Sequence, residues 1–439
     1  MSRKGDARAS VWCRLREGVR SFAHAPDPVF SFRDTSAAML SPRLHILADA
    51  NIPFAEEAFS RYGSVRTLPG REITREALGE TDALLVRSVT PVGRPLLEGT
   101  PVRFVASATA GTDHVDLAGL AEAGVAFAHA PGSNAASVVD WVLAALLHLG
   151  AERGVGLEGR TLGVVGVGQV GGRLGARAEA LGMTVLRCDP PRADAGGTGP
   201  WTTLADTLRR SDVVSLHTPL TRAGEHATFH LIGERELGAM KSGAWLVNAA
   251  RGPVVDGDAL LRAVASRGLG AVALDVWEGE PVPNPGLGSR VDLGTPHIAG
   301  YAWDGKVRGT VLVERALRDW MRRDWMQTRA MPLPDAWNPA DALAPQSPLV
   351  VRAPNLPTDS PPARTRWLHA LASQAYPIAE DDRRFRGSVV TMPDARRRGV
   401  AFADLRRTYP VRREWSEYRV DGSVPDVLAE AVRDGMGMG

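Results

Sequence analysis

The sequence predicts an α/β protein built on parallel sheets, and three observations carry that prediction. Short apolar, β-branched runs alternate with helical patterns from Leu44 to about Met321. One run, Thr161 to Val165, leads into a glycine turn, a helix and a second strand that ends in an acid. Several other runs stop in polar loops, at what would be the carboxyl ends of parallel strands, where such sheets collect ligands.

Size and composition set the bounds. A chain of 439 residues with 44% hydrophobic side chains suits two to four domains with buried cores. The formal net charge is only +2, which argues against a general nucleic-acid binder. No apolar run is expected to reach a membrane span, the most apolar being Trp141 to Leu149. Cys13 and Cys188 offer neither a disulfide framework nor a cysteine-rich metal site, and fit a reducing, cytoplasmic setting. Residues 1–42 mix Arg, Ser, Ala and Pro without a sustained period. They read as a disordered leader, or as an over-long start with Met39 the true beginning.

Leu44 to Asp49 reads as the first strand, followed by a helix from about Pro53 to Tyr62. Ala83 to Val86 and Phe104 to Ala106 are the next strands; their loops carry Arg87-Ser88-Val-Thr90 and Ser107-Ala-Thr109-Ala-Gly111-Thr-Asp113. Pro131-Gly132 breaks the chain before an apolar helix, Ala135 to Leu149. In the glycine unit, Gly166 permits a tight turn, Gly168 lets backbone approach a pyrophosphate, and Gly171 lets the helix pack closely. Gln169 and Val170 open that helix, whose free N–H groups favour phosphate. Asp189 ends the second strand, where a carboxylate can bind ribose hydroxyls and would repel a 2′-phosphate, so NAD is favoured over NADP.

Further strands follow at Val213 to Leu216, Ala244 to Val247 and Ala271 to Leu274, with helices at Leu204 to Arg210 and Asp258 to Ser266. They run into His217-Thr218-Pro219, Asn248-Ala249-Ala-Arg251-Gly252 and Asp275-Val-Trp-Glu-Gly-Glu280-Pro281. Thr295-Pro-His297-Ile-Ala-Gly300-Tyr301 is the last site-like loop, ahead of an amphipathic helix from about Gly305 to Met321. Prolines cluster from Pro332 to Pro362; beyond them lie a helix near Trp367 to Ala375 and a strand-like Gly387 to Val390. The Arg-rich stretch from 383 to 419 reads as solvated surface or subunit contact, since acids and apolar residues interrupt it.

Arg251, Glu280 and His297 follow three successive strands and together suit oxidation of a hydroxy acid. A guanidinium grips a carboxylate through two hydrogen bonds and keeps its charge. A histidine titrates near working pH and can take the hydroxyl proton. A carboxylate beside it fixes its tautomer and favours the protonated form.

These blocks, with Asn248 to Gly252, Leu274 to Pro281 and Thr295 to Gly300, resemble the D-isomer-specific 2-hydroxyacid dehydrogenases from about Leu44 to Met321. The resemblance implies two doubly wound lobes. One is a discontinuous, flavodoxin-like substrate lobe (43–131 and 297–325); the other is a Rossmann NAD lobe (132–296). It implies Arg251, Glu280 and His297 as catalytic residues, His297 being the acid/base. Asp189, Thr218, Ala249, Arg251, Asp275 and Gly300 would contact NAD beside the glycine turn. Ser88, Thr109 and Tyr301 would contact substrate, and such hydroxyls suit a polyhydroxylated phosphate ester; Arg87 is added as a phosphate contact. The tail, 332–439 with Arg412-Arg-Glu-Trp-Ser416, resembles an α+β dimerisation domain, expected to serve a subunit interface rather than the active site. Other phosphorylated 2-hydroxy acids, such as 3-phosphoglycerate, and an NAD-sensing protein without turnover stand as alternatives. No metal site and no membrane partner are expected.

Overall fold

In the computed structural model, residues 44–266, 268–325, 334–339 and 348–439 are described. The expected leader, 1–42, and part of the proline-rich stretch lie outside them. A first parallel sheet contains β1 (Leu44–Asp49), β2 (Gly63–Leu68), β3 (Ala83–Val86), β4 (Phe104–Ser107) and β5 (Ala126–His129), in the order β2-β1-β3-β4-β5. That order reverses between β1 and β3. Side chains alternate across the sheet with period two. Ile46, Leu85 and Ala106 face one apolar cluster, while Leu47, Leu84 and Val105 face another. Both faces are buried, which is why β3 and β4 read as continuous, mostly apolar runs, while β1 exposes only His45. The edge strands β2 and β5 keep partial exposure, and β2 is also more polar, so periodicity did not single them out.

Helix α1 (Ala135–Arg153) leads to a second parallel sheet. Its strands are β6 (Thr161–Val165), β7 (Thr184–Cys188), β8 (Val213–Leu216), β9 (Trp245–Asn248), β10 (Ala271–Leu274) and β11 (Leu293–Gly294), in the order β11-β10-β9-β8-β6-β7. Trp201 adds a one-residue parallel bridge to Arg187 beyond β7. With that bridge counted as a rudimentary strand, the arrangement is the doubly wound dinucleotide-binding order, reversing between β6 and β8. Helix α2 (Gln169–Ala180) packs on β6 and β7. Helix α3 (Trp303–Trp320), just past His297, returns to the first sheet, where Val313, Leu317 and Trp320 pack with Phe104.

α1 corrects the expectation about membrane spans. By length and composition it could cross a membrane, but 78% of its most apolar window is buried within the protein. A helix that is apolar all round needs cover on every side. α1 finds it between α2 and the C-terminal helix α4 (Pro361–Ala375). Trp367, Leu371, Trp415 and Met436 share one apolar cluster with Trp141 and Leu146 of α1. The C-terminal segment adds helices α5 (Ile378–Phe385) and α6 (Ala395–Arg407). It also carries a two-stranded parallel sheet of β12 (Leu349–Arg352) and β13 (Tyr418–Asp421).

The strand expected at Gly387 to Val390 is instead part of a π-helical turn, Arg386–Val390, continuing α5. Tertiary packing overrides β-propensity there. Val389 is buried with Phe385 and Phe402 against the second sheet's cluster, and Val390 packs on Gly288.

Candidate active site

The second sheet's reversal point opens a crevice at the carboxyl ends of β6 and β8. Gly166 turns the chain there at φ 86°, and a Cβ on it would sit 2.7 Å from the carbonyl carbon of His217. On Gly171 a Cβ would stand 2.0 Å from the Gly166 oxygen, whereas on Gly168 it would meet open space. The α2 N-terminus has no side-chain cap, so its first N–H groups remain available, and Gln169 and Val170 open it. The Thr218 hydroxyl is buried without a hydrogen-bond partner on the same rim. An uncapped helix end, an open glycine backbone and an orphaned hydroxyl fit a dinucleotide's phosphates.

Asp189 directly follows β7. Its carboxylate accepts from Val167 N–H at 2.7 Å and from Arg192 N–H at 3.2 Å, so it braces the glycine turn while keeping lone pairs for another donor. Ala249 lies at the end of β9, in a turn held by Asn248, whose side chain accepts from Ala250 N–H and donates to the Arg251 oxygen. Gly300 abuts Asn134 so closely that a Cβ would fall 2.3 Å from the amide nitrogen.

Arg251, Glu280 and His297 follow β9, β10 and β11, which are neighbours in one parallel sheet, so the three share one sheet edge. His297 Nδ1 bonds Glu280 Oε2 at 2.8 Å, and Glu280 Oε1 accepts from Trp277 N–H at 2.8 Å. With Nδ1 engaged, Nε2 is the ring nitrogen left for a substrate proton. Burial pushes the Glu280 carboxyl up, but the charge and hydrogen bond of His297, the Trp277 N–H and Arg406 outweigh it. The net effect is a value below the ordinary carboxylate range.

His297 adopts a left-handed conformation, φ 58°, uncommon for a residue with a Cβ. Such a conformation costs about 1–3 kcal/mol and persists only where surroundings impose it. Asp275 imposes it. Its backbone oxygen accepts from His297 N–H at 2.7 Å, and its carboxylate from Ile298 N–H at 2.7 Å, Ala299 N–H at 2.9 Å and the Thr295 hydroxyl at 2.6 Å. Burial holds this carboxyl above its ordinary value. Both oxygens are taken up by the chain itself, which places Asp275 under the His297 turn.

Arg251 reaches across to the first sheet's loops. Its Nε and Nη2 donate to Asp113 Oδ2 at 3.0 and 2.7 Å, and Nη1 donates to the Ala250 oxygen at 2.8 Å. The approach requires a glycine at 111, where a Cβ would lie 2.2 Å from Arg251 Nη2. Asp113 was legible only as part of a polar loop, and nothing in the sequence pairs it with Arg251.

The expected substrate contacts divide between two places. Arg87 and Ser88 follow β3 at the first sheet's reversal point, where Arg87 donates to the Asn51 oxygen at 2.9 Å and Ser88 is exposed. Thr109, after β4, pairs with the Ser107 hydroxyl at 2.7 Å. Tyr301 lies in the His297 turn, its N–H bonded to the Ile298 oxygen at 3.0 Å.

The C-terminal segment departs from expectation here. It was expected to stand apart from the active site, yet α6 brings Arg406 to the Tyr301 hydroxyl, Nε donating at 3.1 Å. Arg412 is buried and donates to the Ala299 backbone oxygen, and its own oxygen accepts from Trp303 N–H at 2.7 Å. The reason is tertiary. The His297–Tyr301 turn leaves backbone oxygens facing the tail, and buried oxygens need donors.

Residues 140–299 match the family described as D-isomer specific 2-hydroxyacid dehydrogenase, NAD binding domain, and residues 354–434 match a domain of unknown function. The chain is 52% identical over 402 residues to an erythronate-4-phosphate dehydrogenase of Salinibacter ruber, covering 90% of this chain and 98% of that one. It is 47% identical over 391 residues to the enzyme of the same name from Pseudomonas aeruginosa, covering 89% and 98%. Among solved structures it resembles D-lactate dehydrogenase from Aquifex aeolicus, complexed with NAD and lactic acid. That match has a TM-score of 0.55 and 25% identity, covering 65% of this chain and 97% of that chain.

Proposed function

The chain belongs to the erythronate-4-phosphate dehydrogenases, within the D-isomer-specific 2-hydroxyacid dehydrogenases, and from that premise we propose how its own residues perform the reaction. The substrate is 4-phospho-D-erythronate, oxidised at C2 to 3-hydroxy-2-oxo-4-phosphooxybutanoate on the route to pyridoxal 5′-phosphate. The cofactor is NAD, which when bound accepts the C2 hydride. Gly166, Gly168, Gln169, Val170 and Gly171 would hold its phosphates, with Asp189 at the ribose and Thr218, Ala249 and Gly300 along the same rim.

The His297–Glu280 pair on the edge that also carries Arg251 is the observation that supports this most. His297 Nε2 takes the C2 hydroxyl proton, and the charge it gains is met by Glu280 at 2.8 Å. Arg251 leaves Asp113 for the substrate carboxylate, where a bidentate fork both fixes the acid and polarises the oxygen. Asp275 holds the turn that aims the ring. Ser88, Thr109, Tyr301 and Arg87 line the side on which the hydroxyls and phosphate lie. The substrate lobe is 43–131 with 297–325, facing the NAD lobe, 132–296. The 332–439 segment carries a homodimer contact besides its own contacts to the site, and the enzyme works in the cytoplasm.

A spectrophotometric screen of purified protein with NAD tests the assignment. NADH should form fastest with 4-phospho-D-erythronate. Faster turnover of 3-phosphoglycerate would move the substrate assignment, and no turnover of any 2-hydroxy acid would favour a binding protein.

A further inference from the structure

Lys306 occupies an unfavourable place for a cation. It lies in the first turn of α3, where the helix dipole repels positive charge. It is half-buried, and its ammonium sits 5.0 Å from the centre of the Tyr301 ring. Burial first, then the charges of Arg87 and Arg412, press its pKa down to about 8. Among the described residues no carboxylate pairs with it, whereas Lys241 has Asp212 at 3.0 Å. The acids nearby are committed elsewhere. Asp304 takes Arg413 and the Glu414 N–H, Glu280 takes His297, and Asp381 takes the hydroxyls of Tyr376 and Tyr409.

Arg406 stands beside the same ring, 5.6 Å from its centre; its charge acts on Glu280, but it makes no ion pair with a carboxylate among the described residues. Its Nε serves the Tyr301 oxygen, and its two terminal nitrogens have no hydrogen-bond acceptor among the described residues. Because the Tyr301 oxygen accepts there, the phenol hydrogen remains free to be donated. Two cations without an ion-paired carboxylate among the described residues and a free hydroxyl gather around one ring, half withdrawn from water, an arrangement that an anion would stabilise. A phosphate monoester dianion has the acceptor oxygens to engage all three donors.

We propose that Tyr301, Lys306 and Arg406 form the seat of the substrate's phosphate, Arg406 being delivered by the C-terminal segment. The proposal rests on the phosphorylated hydroxy acid assigned above. Tyr301 shares the turn that carries His297, and the phosphate of a four-carbon 4-phospho acid lies two carbons beyond the reacting C2. The tail is therefore part of substrate selection.

The test compares wild type, Lys306→Gln, Arg406→Gln and Arg406→Lys with NAD and either 4-phospho-D-erythronate or D-erythronate, after melting curves confirm folding. In each Gln variant the preference for the phosphorylated acid, as a ratio of kcat/KM values, should drop about 10- to 100-fold. Arg406→Lys should restore part of it. Titration calorimetry of inorganic phosphate into the NADH-bound protein reads the seat whichever acid is turned over, and the Gln variants should bind it correspondingly less tightly. An unchanged ratio with unchanged phosphate binding overturns the seat while leaving the proposed function standing. Equal losses on both acids overturn it too. A wild type that binds phosphate through these residues but does not oxidise 4-phospho-D-erythronate sustains the seat and overturns the substrate. Should Arg406→Gln not fold, Lys306→Gln and Arg406→Lys decide.

Discussion

Replacing Glu280 by Gln isolates what the carboxylate does for His297, because size and hydrogen-bonding reach persist while the charge is lost. Oxidation starts from neutral His297 and ends with an imidazolium; reduction of the oxo acid starts from the imidazolium. A carboxylate held ionised stabilises the charged ring. The Glu280 carboxyl is held below its ordinary value, so it is ionised throughout the working range. With charge centres about 4 Å apart and an effective dielectric of about 20, the attraction is about 4 kcal/mol. The two side chains keep 32% and 22% of their exposure, and solvent screening reduces the effect to about 1–2 kcal/mol. In the variant the pH profile of oxidation should move to lower pH, and reduction near neutral pH should weaken. Rate profiles in both directions at saturating NAD or NADH measure this. Should activity fall at every pH with an unmoved inflection, Glu280 braces the loop through Trp277 and the charge argument is wrong.

Other substitutions separate roles that lie close together. Asp189→Ala should loosen NAD binding and narrow its preference over NADP, read by titrating both cofactors; unchanged values would reduce Asp189 to a brace for the Val167 and Arg192 N–H groups. Asp275→Asn should lower kcat, since one carboxylate oxygen under the His297 turn becomes an amide nitrogen, while NAD affinity stays within about twofold; a selective loss of NAD affinity would mean that Asp275 holds the cofactor directly. Trp367→Ala should destabilise the protein by about 3–5 kcal/mol in denaturant titration, because Trp367 is 0% exposed in a cluster shared with α1. A loss below about 1 kcal/mol would mean that the tail is not part of that core.

What the sequence made legible follows from what local chemistry encodes. Ala83 to Val86 and Ala271 to Leu274 are buried on both faces, so an uninterrupted apolar run marks each strand. The glycine turn is equally local, since Gly166 and Gly171 are fixed by contacts that exclude a Cβ. The edge strands β2 and β5 and the pair β12–β13 bury less and carry weaker patterns. Val389 and Val390 look like a strand in isolation and fold as a helical turn because the second sheet's core receives them.

Within the site, each member of the Arg251, Glu280 and His297 set was recognisable because each ends or follows a strand. The partners that tune them were not. Asp113 is 138 residues from Arg251 in the chain, and Arg406 is 105 from Tyr301. No period or spacing encodes such meetings. The charge pattern held one clue, since Lys306 is one of only three lysines in an arginine-rich chain, and its meaning came only from the ring and arginines around it.

The most direct test of the central claim uses 4-phospho-D-erythronate deuterated at C2. Purified protein is incubated with NAD, and the products are examined by NMR. Hydride transfer beside His297 predicts that the deuterium appears on the nicotinamide C4 of NADH, in step with formation of the 2-oxo acid, and that His297→Ala slows both by about 10²–10⁴-fold. Deuterium lost to water, or NADH formed as readily by His297→Ala, would contradict the account.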